Sequence, residues 1–286
     1  MMKLKKRKPN RSRGGDIAIY IALVLFGIFF ILPLLFAVNQ AFKPLDEIFL
    51  FPPKLFVNNP TMDNFSDLFV MMGKSWVPFS RYIFNTVFIT VVGTGGHLLF
   101  ASMAAYVLAK YEFPGSKTFF KVVVIALMFS TYVTAIPNYL ILSGLGWIDT
   151  YLSIIIPAFA APMGLFLMKQ FMDGVPDALI EAAKIDGAKE GRVFLKVVMP
   201  MVKPAWLTLI IFSIQSLWNT RASTYIFSEE LKTLPYALSQ IISGGQIARA
   251  GVGAAVTVIM MVVPITVFIL AQSNIIETMA SSGIKE

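Results

Sequence analysis

Six apolar runs separated by polar stretches organise this chain: residues 17–38, 82–108, 118–138, 151–168, 204–220 and 251–271. None carries a charge near its middle, and their lengths approach or exceed what an α-helix needs to cross a hydrocarbon core of about 30 Å. A lone segment in lipid must satisfy its own backbone, so the runs predict six transmembrane helices and an all-α polytopic membrane protein. The first run is uncharged and longer than the about 7–15 apolar residues of a cleavable signal peptide, so it reads as an uncleaved signal anchor. Pro33 is placed to kink it, and Pro157 and Pro162 predict a bend in the fourth run. The second run is rich in small and hydroxyl residues, among them Gly93, Thr94, Gly95 and Gly96, which let helices pack closely in lipid. Of the polar stretches, residues 39–80 read as an ordered outer loop with short helices. Residues 221–249 read as an outer loop holding Glu229, Glu230 and Gly244-Gly245-Gln246, and residues 272–286 as a short tail.

The stretch from 169 to 203 differs from the rest, being a polar island between the fourth and fifth runs. Pro176 suits a first helical position, Asp177 and Glu181 set negative charge near a helix N-terminus, and Gly187 is a natural stop. Ala178, Ala182 and Ile185 share one side of that short helix, and Ala182 beside Ala183 makes a knuckle thin enough for another protein's backbone to approach. A second helix is predicted from near Ala188 toward Pro200.

Composition agrees with a membrane protein: 57% of the 286 residues are hydrophobic, 14% are charged, and mean hydropathy is +0.73. Cysteine is absent, which excludes a disulfide framework or a thiolate metal site. His97 stands alone inside an apolar run with no second ligand at ligand spacing, so it reads as a helix-packing histidine rather than a metal ligand. The net charge of +8 has its densest part in the tail at residues 1–16, without the interleaved aromatics of a nucleic-acid surface. That tail reads as a topology anchor near anionic lipid, and nucleic acid is not an expected partner. Gly115-Ser116-Lys117-Thr118 has a faint likeness to a phosphate loop but lacks the Gly-Lys step and the preceding strand, so no nucleotide site is expected on this chain. With the N-terminus inside, 17 of the 24 Lys and Arg residues fall on the cytoplasmic side, which predicts cytoplasmic termini and a cytoplasmic 169–203 loop.

The island resembles the EAA loop of the membrane subunits of binding-protein-dependent ABC importers. Glu181, Ala182, Ala183, Gly187 and Pro200 match, and Val197 and Met199 conservatively replace the usual isoleucine and leucine. The phrase from Ile185 through Asp186 to Ala188, the Phe194 position and the Lys203-Pro204 ending look like the carbohydrate-uptake branch, similar to the smaller permease subunit of maltose importers. The resemblance extends from about Asn85 to the C-terminus. It implies a type I ABC importer-like fold in a prokaryotic plasma membrane, with a second homologous permease subunit, two ATPase subunits and an extracytoplasmic solute-binding protein. It also implies that the Glu181 loop seats in a cleft of the ATPase, that ATP and Mg belong to that partner and not to this chain, and that the 221–249 loop meets the binding protein.

Absence of a charged residue in mid-span argues against a proton- or sodium-coupled carrier with an intramembrane carboxylate relay. Asn85, Thr134, Asn138, Gln215, Trp218 and Asn219 have two readings: bonds between helices, or the lining of a path for a hydroxyl-rich solute. Trp218-Asn219-Thr220-Arg221 departs from the family's common Trp-Asn-Asp-Phe phrase, which leaves a permease for amino acids or peptides as the main alternative to a sugar permease. A membrane-embedded enzyme would need a cluster of partners that His97 alone does not provide.

Overall fold

Regular structure is helical throughout the computed structural model, which describes residues 13–73, 76–243 and 250–282. Most of the basic tail, the Gly244-Gly245-Gln246 stretch and the last four residues lie outside those described. The chain divides into two units.

The first unit comprises residues 1–70 and 245–258. Helix α1 (Arg13–Phe42) is the first apolar run lengthened at both ends, and none of its apolar window is buried. A short α2 (Leu45–Ile48) and α3 (Asp63–Gly73) follow within the stretch read as an ordered loop. The Asn64 amide donates to the carbonyls of Ala41 and Lys43 at 2.9 and 2.8 Å, closing the chain back onto the end of α1. The Glu47 carboxylate accepts from the backbone amides of Asn58 and Asn59, and these bonds hold its pKa below the ordinary value.

The second unit, residues 71–244 and 259–286, is built around α4 (Phe79–Lys110), the longest helix wholly inside it. Against α4 pack α7 (Leu152–Phe159), α8 (Pro162–Asp173) and α12 (Lys203–Trp218), while α5 (Ser116–Ala126) lies along α8. Close approach depends on glycine: a Cβ on Gly93 would fall 2.6 Å from Leu217, and one on Gly96 would fall 2.0 Å from the Phe159 ring. Ala101, Ala105 and Tyr106 of α4 join Met168, Met172, Val193, Ala205 and Leu209 in the core nearest the 169–203 loop.

Not every run is one helix. Residues 118–138 divide between α5 and α6 (Thr131–Gly144), of 11 and 14 residues, each too short to cross a bilayer unaided. The interruption at 127–130 ends on Ser130, which caps α6. The α7–α8 break falls at Ala160-Ala161, immediately before Pro162. Between α8 and α12 lie α9 (Asp177–Ile185), α10 (Glu190–Val193), a π-helical turn (Phe194–Val198) and α11 (Met199–Met201). The stretch 190–201 meets α12 at 82°. Beyond α12, part of the segment read as loop is α13 (Leu234–Ser243), whose Leu234, Ala237 and Leu238 are buried at helical spacing. Helix α14 (Ala250–Ser282) ends the described chain. Among the described residues, four helical stretches are long and apolar enough to span a bilayer: Gly14–Phe42, Phe79–Lys110, Leu152–Asp173 and Ala250–Gln272. A fifth arises if the bent pair is one span.

Candidate functional site

The Glu181 segment forms α9, one residue later than its sequence suggests, because Pro176 takes the N-cap and Asp177 the first helical position. The helix ends on a Schellman motif. Gly187, at φ +80°, donates to Lys184 O and Ala188 donates to Ala183 O, at 3.0 and 2.9 Å, a geometry that disfavours any side chain at 187. The second helix begins at Glu190 rather than Ala188. It re-enters through the π-helical turn, where Met199 N reaches back five residues to Phe194 O. Pro200, which has no amide to give, follows at once and stays exposed.

The two faces of α9 have different tasks. Ile180 is buried, and half-buried Ala183 and Ala188 pack on the core around Tyr106 and Met172. Ala178, Glu181, Ala182, Ile185, Asp186 and Gly187 are exposed, with Ile185 86% accessible. The two neighbouring alanines therefore part company: Ala182 belongs to the outer surface, whereas Ala183 belongs to the interior.

Helix α4 holds the start of α9 directly and its far end through Glu190 of α10. At its start, Lys110 Nζ donates to Val175 O and makes a 2.8 Å ion pair with Asp177, the lysine side chain being only 5% exposed. At its far end, Lys184 pairs with Glu190 at 2.6 Å and lies over the Tyr111 ring, while Tyr106 OH donates to the other Glu190 oxygen at 3.1 Å. Glu190 raises the Lys184 pKa above its ordinary value, and Lys184 with the two tyrosine hydroxyls lowers that of Glu190.

At the opposite end of α4, Asn85 is fully buried. Its amide donates to Glu230 O and Lys232 O, both at 2.8 Å, and its oxygen accepts from Tyr151 OH at 2.6 Å. Tyr82 OH donates to Glu229, and Leu234 N donates to the Thr86 hydroxyl. Asp149 organises the facing loop by accepting from the amides of Phe227 and Ser228 and from the Ser228 hydroxyl, bonds that hold its carboxyl below the ordinary range. Trp218 is also buried, its indole N–H donating to Met260 O at 3.1 Å. Asn85 and Trp218 thus both make buried hydrogen bonds to other parts of the chain. Asn138, Gln215 and Asn219 are exposed and Thr134 is half-buried. The partners of Asn85 lie 66 to 147 residues away in sequence and no local pattern announces them.

Comparison with known proteins places the chain. Residues 97–280 match the binding-protein-dependent transport system inner membrane component family. The arabinooligosaccharides transport system permease protein AraQ of Halalkalibacterium halodurans is 30% identical, over 98% of this chain and 99% of its own length. The trehalose transport system permease protein SugB of Mycobacterium tuberculosis is 28% identical, over 89% and 92% respectively. Among solved structures, a chain of a bacterial ABC transporter involved in the import of the acidic polysaccharide alginate superposes with a TM-score of 0.77. That likeness covers 93% of this chain and 99% of the other, at 24% identity. With a family match over more than half its length and a relative aligned nearly end to end, this chain belongs to the inner membrane components of binding-protein-dependent transport systems.

Proposed function

We propose that the chain is one of two homologous permease subunits of an ATP-driven importer for oligosaccharides in a prokaryotic plasma membrane. In this reading α1, α4, the α5–α6 pair, α7–α8, α12 and α14 make six passes, and both termini and α9 are cytoplasmic. ATP and Mg sit on two separate ATPase subunits. One ATPase takes the exposed Glu181, Ala182 and Ile185 surface of α9 into a cleft, with Asp186, Gly187, Ala188 and Pro200 shaping the loop around it. An extracytoplasmic binding protein delivers solute to the end where Asp149 and residues 222–233 lie. Asn138, Gln215 and Asn219, with Thr134, line the route, while Asn85 and Trp218 frame it. The names of AraQ and SugB support the sugar class.

The observation that carries this reading is that α9 turns a carboxylate, a small residue and a bare isoleucine outward while its start is tied to α4 directly and its far end through Glu190 of α10. An exposed apolar side chain beside an unburied charge on a rigid support suits a protein partner. The test is co-purification of the ATPase and ATP-dependent uptake of arabinooligosaccharides in reconstituted vesicles. Glu181→Ala truncates one member of an interfacial charge pair, at a cost of about 2–5 kcal/mol. Gly187→Leu forces a left-handed leucine. Both variants insert normally, yet lose ATPase or uncouple hydrolysis from uptake. Wild-type values for both would remove α9 from the coupling role.

A further inference from the structure

His97 lies within α4, 5% exposed, and touches two other helical elements. Its Nε2 is 3.1 Å from the Ala161 carbonyl at the α7–α8 break, and its Nδ1 is 3.4 Å from Ser213 Oγ on α12. A carbonyl only accepts, so Nε2 carries the proton and Nδ1 of the neutral ring accepts from the serine hydroxyl. Gly164 leaves the ring its space, since a Cβ there would fall 2.2 Å from Nε2. Among the described residues no three His, Cys, Asp or Glu side chains converge, so the ring is not part of a metal cluster.

The three elements meeting at this ring are the ones that govern the 169–203 loop. Helix α8 leads into the loop, α12 leads out of it, and α4 holds the start of α9 through Lys110 and the start of α10 through Tyr106. Along these helices Ala161 and Ser213 lie roughly 12 and 15 Å from the loop, and His97 roughly 20 Å from the α4 end that holds it, at 1.5 Å per residue. Apolar packing alone permits sliding between helices, whereas a bidentate imidazole ties their relative height.

We infer that His97 is a positioning residue of the import cycle, holding α4, the α7–α8 break and α12 in register so that displacement of α9 moves them as one body. This rests on the reading of α9 as the coupling helix. Two-armed contact with a helix break, in space kept open by a glycine, separates His97 from a residue that merely fills volume.

The native chain has no cysteine, so spin labels can be placed at Ile83→Cys and Ser216→Cys, exposed positions on α4 and α12 remote from α9. The full complex, with its second permease, ATPases and binding protein, is reconstituted in nanodiscs. The label distance is then measured without nucleotide and after trapping with ATP and vanadate. The wild-type distance is the same in both states because α4 and α12 travel together, whereas His97→Leu, which keeps bulk without a donor, retains ATP hydrolysis but lets the helices slip, so its distance shifts or broadens on trapping. His97→Gln, which keeps an N–H, behaves as the wild type. If the His97→Leu complex fails to assemble, Ser213→Ala removes one arm alone and gives a smaller shift. An unchanged distance in His97→Leu, or in Ser213→Ala where that variant is read, overturns the proposal. A wild-type complex that hydrolyses ATP with a shifted α4–α12 distance overturns it as well. Failure of the wild-type chain to bind any ATPase defeats the coupling reading instead.

Discussion

Replacing Asn85 with leucine distinguishes a structural clamp from a residue lining a solute path. The substitution removes three hydrogen bonds, to Glu230 O, Lys232 O and Tyr151 OH, from a site with no solvent exposure. At the roughly 0.6 kcal/mol average measured for side-chain bonds inside membrane proteins, three bonds amount to about 2 kcal/mol. If all three former partners stay unsatisfied at about 2 kcal/mol each, the cost rises to about 6 kcal/mol. The lower figure already multiplies local opening of the loop by about 30, since each 1.4 kcal/mol is tenfold. Amide hydrogen exchange across residues 225–233 of the reconstituted complex is the assay, because exchange from a locally opened state reports that free energy directly. We expect at least about 30-fold faster exchange there and little change in α9. Unaltered exchange together with weakened solute uptake would refute the reasoning and return Asn85 to the path.

Lys110→Met should leave Asp177 and Val175 O without their shared cation and loosen the start of α9, lowering ATPase co-purification while α4 and α8 stay folded. Because the Asp149 carboxyl is held below its ordinary value, its contribution to loop stability is complete above about pH 4 and is lost as pH falls through the lowered folded value. Proteolysis of the 222–233 loop should accelerate in that acidic window, and Asp149→Asn should abolish that dependence. Ile185→Cys should react with a maleimide in inverted vesicles and be protected by bound ATPase, whereas Ala183→Cys should react slowly in either case.

The long elements were legible because hydropathy is a local property: α1, α4 and α14 each contain a long apolar run with no Asp, Glu, Lys or Arg inside it. The stop of α9 was equally readable, since φ near +80° selects glycine and Gly187 stands there. What the pattern missed depends on distant partners. The 118–138 run is apolar through residues 127–129, so nothing in hydropathy marks where α5 ends and α6 begins. Helix α13 is short and carries Pro235, so its buried face emerges only once Thr86 and Asn85 receive the backbone beside it. Ala182 and Ala183 are the same residue type in adjacent positions, and only the core against which α9 lies decides which one is hidden.

The attachment of the α9–α10 pair to α4 has a mechanical consequence. With the start of α9 and the start of α10 both bonded to one rod, the pair cannot swivel by itself, so under the proposed coupling a push on it would arrive in α4 as torque. With 32 residues, α4 is a lever about 48 Å long, and a tilt of about 5° about the gripped end sweeps its other end through about 4 Å. Tyr82 and Asn85 clasp the far loop at that end, so in the proposed cycle the loop would travel with the lever tip.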